Sequence, residues 1–188
     1  MLQPEPIVLY KAAEDGKLDQ VKAAVDAGAP MEWANPDDYG KRAVHAASEE
    51  GHKDVVAFLG SRGADVNAVN DHQNTPLHGA AWMGKASVCT TLLALGADPA
   101  AKNDVGKTAL DKARTYNNPC SPAHLCVAVL EAWAAGERDM AAVLQAYHAK
   151  REAAWKASGG PEALAAVAAA VASGDRTKVA AAQKVLEE

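Results

Sequence analysis

The chain has 188 residues, a hydrophobic content of 49% and a formal net charge of −5 at pH 7. This length is enough to bury a sizeable core. The acidic balance argues against a general nucleic-acid binder, which needs a basic face to displace counterions from phosphates. No segment approaches the apolar length that spans a bilayer, and residues 1–6 lack the basic and apolar regions of a secretory signal. The sequence therefore predicts neither nucleic-acid binding nor membrane insertion.

Taken in chain order, residues 1–6 are expected to be extended, because their two prolines disfavour helix in the residues before them. Apolar residues at helical spacing then predict a first helix that ends at Gly16 and a second helix at about 18–27. Gly28 follows the second helix, and a glycine just past a helix is a common terminator. The sequence therefore opens with a pair of helices.

The two glycines of this helix pair return along the chain at a nearly fixed period, which points to a repeat architecture. Both series recur after 35 and then 33 residues, at Gly16, Gly51 and Gly84 and at Gly28, Gly63 and Gly96. A Thr-Pro-Leu-His sequence at 75–78 returns as Arg-Ala-Val-His at 42–45 and as Thr-Ala-Leu-Asp at 108–111. Paired alanines, a glycine and Gly-Ala-Asp complete the best-formed unit.

This pattern resembles the ankyrin repeat over about the first three quarters of the chain. The resemblance implies an all-α fold, an ankyrin-repeat solenoid of helix-turn-helix pairs with short β-hairpin tips, followed by C-terminal helices. The first unit lacks Thr-Pro-Leu-His, as a capping repeat would, and the last is degenerate because Asn117 replaces its glycine. The resemblance places the repeat domain at 1–136, with units at about 7–39, 40–72, 73–105 and 106–135.

From residue 137 onward the period is lost, and residues 137–188 are predicted to form a C-terminal α-helical extension. Apolar spacing predicts one helix at about 137–157 and a helix pair at 161–172 and 175–186. The first of these helices either docks on the exposed end of the last repeat, replacing a polar cap, or joins a helix of a partner.

The sequence contains no Gly-rich phosphate loop, nucleophile elbow or Cys-x-x-Cys pair, so neither enzyme activity nor a cofactor is predicted. His45 and His78 occupy the last position of the Thr-Pro-Leu-His motif, where the imidazole is expected to bond backbone between adjacent units. Cys120, His124 and Cys126 match no closed tetrahedral pattern, so no metal site is predicted.

The cysteines favour a reduced, intracellular setting, because there are three of them without a metal-ligand spacing. Cys89 aligns with Val21 and Val56 in the repeat frame, so it is expected to be a small buried hydrophobe.

Asn67 lies in the sequence Gly-Ala-Asp-Val-Asn, with Leu59 eight residues before it. This context resembles substrates of asparaginyl hydroxylases that act on ankyrin repeats, and it makes Asn67 a candidate modification site. The alternative is that the side chain stabilises the hairpin tip.

The informative positions are those that packing does not dictate, namely the two residues before each inner-helix glycine and the hairpin tips. The residues before the glycine run from acidic to apolar along the repeats: Glu14, Asp15, Glu49, Glu50, Trp82, Met83 and, in the degenerate unit, Tyr116. The hairpin tips add Trp33, Asp38 and Tyr39, then Val69, Asp71 and His72, then Lys102, Asp104 and Val105. Exposed aromatic and methionine side chains are enriched at the cores of interfaces.

We therefore expect a concave face that binds a protein segment. Trp82, Met83 and Tyr116 would hold an apolar anchor of the partner, and the acidic residues would meet its basic residues. The predicted function is a non-catalytic, protein-binding adaptor or structural component in the cytoplasm. Two alternatives stay open: a regulatory subunit or inhibitor of an enzyme, and a subunit of a large cytoskeletal or ciliary complex that uses the C-terminal helices for assembly.

Overall fold

The computed structural model describes residues 6–115 and 123–157. The chain divides into two compact units, the first ending at Val143 and the second beginning at Leu144. The predicted domain limits, 1–136 and 137–188, stay predictions. The predicted helix pair at 161–172 and 175–186 lies outside the described residues.

The described residues form helix pairs, with a short turn inside each of the first three pairs and longer tips between the repeats at 27–42, 62–75 and 95–108. The first tip contains a 3-10 helix, Pro36–Asp38. The helices are α1 Pro6–Glu14, α2 Leu18–Asp26, α3 Ala43–Glu50, α4 Lys53–Ser61, α5 Pro76–Trp82, α6 Ala86–Ala94, α7 Ala109–Thr115, α8 Ala123–Ala134 and α9 Met140–Ala157. The predicted extended segment 1–6 is therefore wrong at its last residue, because α1 begins at Pro6. Proline suits the first position of a helix, where its missing N–H has no intrahelical partner.

The first compact unit contains two rows of helices. The inner helices α1, α3, α5 and α7 pack on one another in sequence, and so do the outer helices α2, α4, α6 and α8. One small residue per repeat is buried at the same position of each inner helix, at Ala12, Ala47, Ala80 and Ala113. Because alanine adds only a methyl group, neighbouring inner helices can approach closely. The repeats are thus stacked as the sequence predicts.

The outer helices share a second buried position. Val21 on α2, Val56 on α4 and Cys89 on α6 all have no exposed surface, which confirms the prediction for Cys89. Gly28, after α2, has a φ of 89°, a left-handed conformation that glycine adopts without steric cost. The chain can therefore turn sharply after the outer helix.

The tips are turns and not paired strands in the part of the chain that the structure describes, where one isolated bridge joins Asn35 and Lys41. Each tip is instead organised by a buried asparagine, at Asn35, Asn70 and Asn103. The Asn70 carboxamide accepts hydrogen bonds from the backbone N–H groups of residues 72 and 74, both at 3.0 Å. Hydrogen bonds to the asparagine side chain therefore close this turn, where a β-hairpin would use paired strands.

Successive tips are also bonded to each other. The backbone N–H of Asp71 donates to the carbonyl of Tyr39 at 2.9 Å, and that of Asp104 donates to the carbonyl of His72 at 3.2 Å. The tips therefore form a continuous wall beside the inner helices. Among the described residues, none of the helices combines the length and apolarity that crossing a membrane requires.

Candidate functional site

In α3 and α5, the third residue of the helix makes a joint, which is a side-chain hydrogen bond to the next repeat. His78 accepts from the backbone N–H of Thr75 at its Nδ1, 3.2 Å away, so its Nε2 carries the proton that it donates to the carbonyl of Lys107 at 2.9 Å. His45 repeats this arrangement with the carbonyl of Asn74, at 3.1 Å. The structure thus confirms that both imidazoles bond backbone between adjacent repeats.

Both joint histidines are held neutral by burial. Loss of solvent around the ring lowers the pKa of His45 to about 4 and also lowers the pKa of His78. A neutral ring donates one hydrogen bond and accepts another, which is what the two partners of each histidine require.

The equivalent joint between the first two repeats uses a tyrosine. The Tyr10 hydroxyl donates to the carboxylate of Asp38, whose other oxygen lies 3.2 Å from the Lys41 ammonium. Burial, together with the hydrogen bond to Asp38, raises the pKa of Tyr10. At the last inner helix, Asp111 accepts from its own Thr108 N–H at 3.0 Å. The equivalent side chain therefore makes a charged joint in α1 and neutral joints in α3 and α5. In α7 it is a carboxylate that caps its own helix.

A groove of about 450 Å³ lies between the wall of tips and the inner helices α3, α5 and α7. Four of the predicted partner-binding residues line it, namely Tyr39, Glu49, His72 and Trp82. Val105 and Lys112 contribute to the same lining. The groove thus brings together tip and inner-helix residues that are far apart in sequence.

At one end of the groove, Glu49 is paired with Lys41 at 2.8 Å. Burial opposes the charge of Lys41, but the hydrogen bonds and charges of Glu49 and Asp38 outweigh it and raise the Lys41 pKa. Gly79 on α5 makes room for this pair, because a Cβ added there would lie 2.7 Å from the Glu49 Cγ. Glu49 therefore belongs to the floor of the groove.

At the other end, the Lys112 ammonium lies 5.1 Å from the centre of the Trp82 ring, a cation–π distance. Trp82 is 44% exposed. The tip wall presents Tyr39, whose ring centre is 5.1 Å from that of His72, and Val105, which is 69% exposed. His72 Nδ1 lies 3.6 Å from the carboxylate of Asp104. The lining is thus partly apolar, and the charged side chains in it have partners.

The remaining predicted residues do not line the groove. Trp33 is half-buried and packs edge-on against Tyr10, with ring centres 6.2 Å apart. Asp15 pairs with Lys17 at 2.8 Å, and this hydrogen bond lowers the Asp15 pKa. The other residues in this group are exposed: Glu14, Glu50, Val69 and Met83. Tyr116 lies outside the described residues.

Asn67 joins the second repeat to the third. Its side-chain amide donates to the carbonyl of Gly96 at 3.2 Å and accepts from the backbone N–H of Asp98 at 2.8 Å. These two bonds give the side chain a structural role in the tip region. Its hydroxylation stays a prediction.

Sequence reasoning overlooked three residues that shape the groove, namely Lys41, Gly79 and Lys112. The tip asparagines were overlooked as well, although Asn35, Asn70 and Asn103 follow the same spacings of 35 and 33 as the glycines. That period is the signal that would have found them. Within the described residues, no three His, Cys, Asp or Glu side chains are grouped so that they could hold a metal ion. Cys120, one residue of the rejected metal pattern, lies outside those residues.

Two comparisons with known proteins agree with this geometry. A family model described as ankyrin repeats, in three copies, matches residues 9–103, about half of the chain. Ankyrin repeat-containing protein P1E11.10 of Schizosaccharomyces pombe is 38% identical over 69 residues, which are 37% of this chain and 32% of that protein. The match therefore spans about a third of the length of this curated relative.

Proposed function

Because this chain belongs to the ankyrin repeat family, whose repeats generally mediate protein–protein interaction, we propose that it is a non-catalytic module that grips a segment of another protein in its groove. The partner segment places a large apolar side chain against Trp82 and Tyr39. Basic residues of the same segment face the acidic ends of the first two inner helices.

Exposed apolar surface inside a concave site is the observation that carries this proposal. Tyr39, Trp82 and Val105 line the groove and are 60%, 44% and 69% exposed. Aromatic side chains at such positions bury much area on binding at a modest entropic cost. Because Lys41 and Glu49 satisfy each other, the groove demands no buried countercharge from its ligand.

The basic part of the proposed partner follows from the charges beside the groove. Glu14 and Glu50 are exposed at the C-terminal ends of α1 and α3. A helix C-terminus carries a partial negative charge, which adds to that of the carboxylates. A lysine or arginine of the partner is therefore attracted to this side, and the attraction weakens with salt.

A displayed peptide library panned against the full chain tests the proposal. We expect enriched peptides to combine a large apolar residue with nearby lysine or arginine. Trp82→Ala should weaken their affinity by about tenfold or more, as at an interface hot spot. Phe58→Ala is the matched control, because it removes a half-exposed ring from the outer helix α4. Equal affinity of the Trp82→Ala and wild-type chains would show that this groove is not the binding site.

We further propose an intracellular, cytoplasmic setting, which the free thiols of Cys89 and Cys126 support. The enzyme inhibitor and the cytoskeletal or ciliary subunit stay predictions. Loss of one enzyme's activity on adding this chain would favour the first. Recovery of the endogenous chain in a particle at fixed stoichiometry would favour the second.

A further inference from the structure

Two buried thiols meet between the outer helices of the third and fourth repeats. Cys89 on α6 and Cys126 on α8 have no exposed surface, and their sulfur atoms are 3.7 Å apart. The Cys126 sulfur also lies 4.0 Å from the carbonyl oxygen of Ala80 on α5. The thiol pair thus lies where three helices of the first compact unit come together.

Packing alone does not require a thiol at position 89. The equivalent residues of the two preceding outer helices, Val21 and Val56, fill the same buried site with valine. A cysteine contributes little more to a core than a small hydrophobe does, and its chemistry usually decides where it is used. The contact between the two sulfurs therefore favours a chemical role for this pair.

We propose that Cys89 and Cys126 are a modification site, at which a hydroperoxide such as hydrogen peroxide forms a reversible disulfide between α6 and α8. Sulfur atoms in a disulfide are about 2.05 Å apart, so the pair has to close by roughly 1.7 Å. A change of side-chain rotamer moves a cysteine sulfur by more than that distance.

The reaction balances with peroxide as the oxidant. One thiolate attacks a peroxide oxygen, which forms an S–O bond and breaks the O–O bond, and the departing hydroxide takes up a proton to become water. The second sulfur then attacks the resulting sulfenic acid, which forms the S–S bond and releases the hydroxyl group as water with the remaining thiol proton. Two thiols are oxidised by two electrons, and the peroxide is reduced to two waters.

Access to the thiols requires local opening of α8. This helix packs on α5, α6 and α7 and is the last of the outer row in the first compact unit. Local opening of a single helix exposes buried groups for a short time without global unfolding. Contact with Cys126 and burial raise the pKa of the Cys89 thiol. Little of the reactive thiolate is therefore present while the site is closed, and the oxidation is slow.

The disulfide ties the fourth repeat to the third. It closes a chain loop from Cys89 to Cys126, and a cross-link of this kind stabilises the native state mainly by restricting the unfolded chain. Thermal unfolding of the oxidised protein should therefore shift upward by about 5 °C or more. Reduction with dithiothreitol should reverse the shift.

Peptide mapping of the folded, full-length chain after hydrogen peroxide treatment tests the proposal. We expect a cross-linked peptide pair that contains Cys89 and Cys126 and has lost two hydrogens, together with the upward shift in unfolding temperature. Cys89→Val is the matched control, because valine occupies the equivalent position of the other outer helices. The same treatment should leave its unfolding temperature unchanged.

Three outcomes would overturn the proposal. Cys89 and Cys126 both remain alkylatable after treatment that fully oxidises a small thiol, or they form a disulfide with Cys120 or with a second chain, or they advance to sulfinic acids without an S–S bond. Cys126→Val serves as a second control if the first variant does not fold, since it removes the other partner.

Discussion

The joint between the first two repeats and the joint between the third and fourth occupy the same place in the repeat and use opposite chemistry. At the first joint, the Tyr10 hydroxyl reaches a carboxylate, Asp38, that also meets an ammonium group. At the later joint, the neutral ring of His78 reaches a backbone carbonyl. The repeat therefore fixes where a side chain must reach, and several chemistries meet that requirement.

The largest expected effect comes from breaking a histidine joint. His78→Ala removes the acceptor of the Thr75 N–H and one of the two donors to the Lys107 carbonyl, and it opens a buried cavity. Together these losses should cost about 2–4 kcal/mol of unfolding free energy. Urea unfolding measures it. His72→Ala is the control at an exposed position and should stay within about 0.5 kcal/mol of wild type. Equal losses of unfolding free energy at the two positions would mean that the joint histidine stabilises the fold no more than an exposed histidine does.

Acid should weaken the histidine joints. The folded-state pKa of His45 is about 4, below its ordinary value of 6.5, so its contribution is complete above pH 6.5 and is lost as pH falls toward 4. The loss is roughly 1.4 kcal/mol for each pH unit within that window. Comparison of unfolding free energies at pH 7 and pH 5 for wild type and His45→Gln measures it. Identical pH dependence in the two chains would contradict the assignment.

The charged joint should be weaker and should respond to alkali. Tyr10→Phe keeps the ring that packs on Trp33 but removes the hydrogen bond to Asp38, at an expected cost of about 1–2 kcal/mol. Because the folded-state pKa of Tyr10 is raised above 10.0, its contribution is complete below pH 10 and is lost as pH rises further. Unfolding measurements at neutral and alkaline pH test both points.

Tyr39→Phe is the matched control for the tyrosine joint, because Tyr39 is exposed. It should leave the unfolding free energy nearly unchanged at neutral pH. If Tyr39→Phe lost as much unfolding free energy as Tyr10→Phe, the loss at Tyr10 could not be assigned to its hydrogen bond with Asp38.

The smallest effect concerns the groove floor beside the charged joint. In a Glu49→Ala background, Gly79→Ala should stabilise the chain by about 0.5–1 kcal/mol, because alanine is the better helix former. With Glu49 present, the added methyl group collides with its side chain and this gain should disappear, giving a coupling energy of about 1 kcal/mol. Additive changes in the double-mutant cycle would contradict the proposed contact.

The sequence predicted features that the repeat period determines. The stacked helix pairs, the joint histidines and the buried Cys89 all follow from side chains that recur at one position of the unit. Trp33 was assigned to the binding face, but it packs on Tyr10. Its environment depends on the irregular connector after the first repeat, whose length breaks the period.

The candidate groove was predictable only in part. Exposed residues such as Trp82 could be selected because packing leaves them free to vary. The pairing of Glu49 with Lys41 could not be predicted. It depends on the tip bringing Lys41 back to the end of α3 and on Gly79 of α5 leaving space for the Glu49 side chain. Contacts between different structural elements are set by tertiary geometry, which a local pattern does not contain.

The indole N–H signals of the four tryptophans give the most direct test of the groove as a protein-binding site. The isotope-labelled full chain is titrated with a peptide selected from the displayed library. We predict that the Trp82 signal shifts and saturates with the peptide's affinity, while the signal of Trp33, which lies outside the groove, stays in place. A saturable shift at Trp33 with no change at Trp82 would contradict the account.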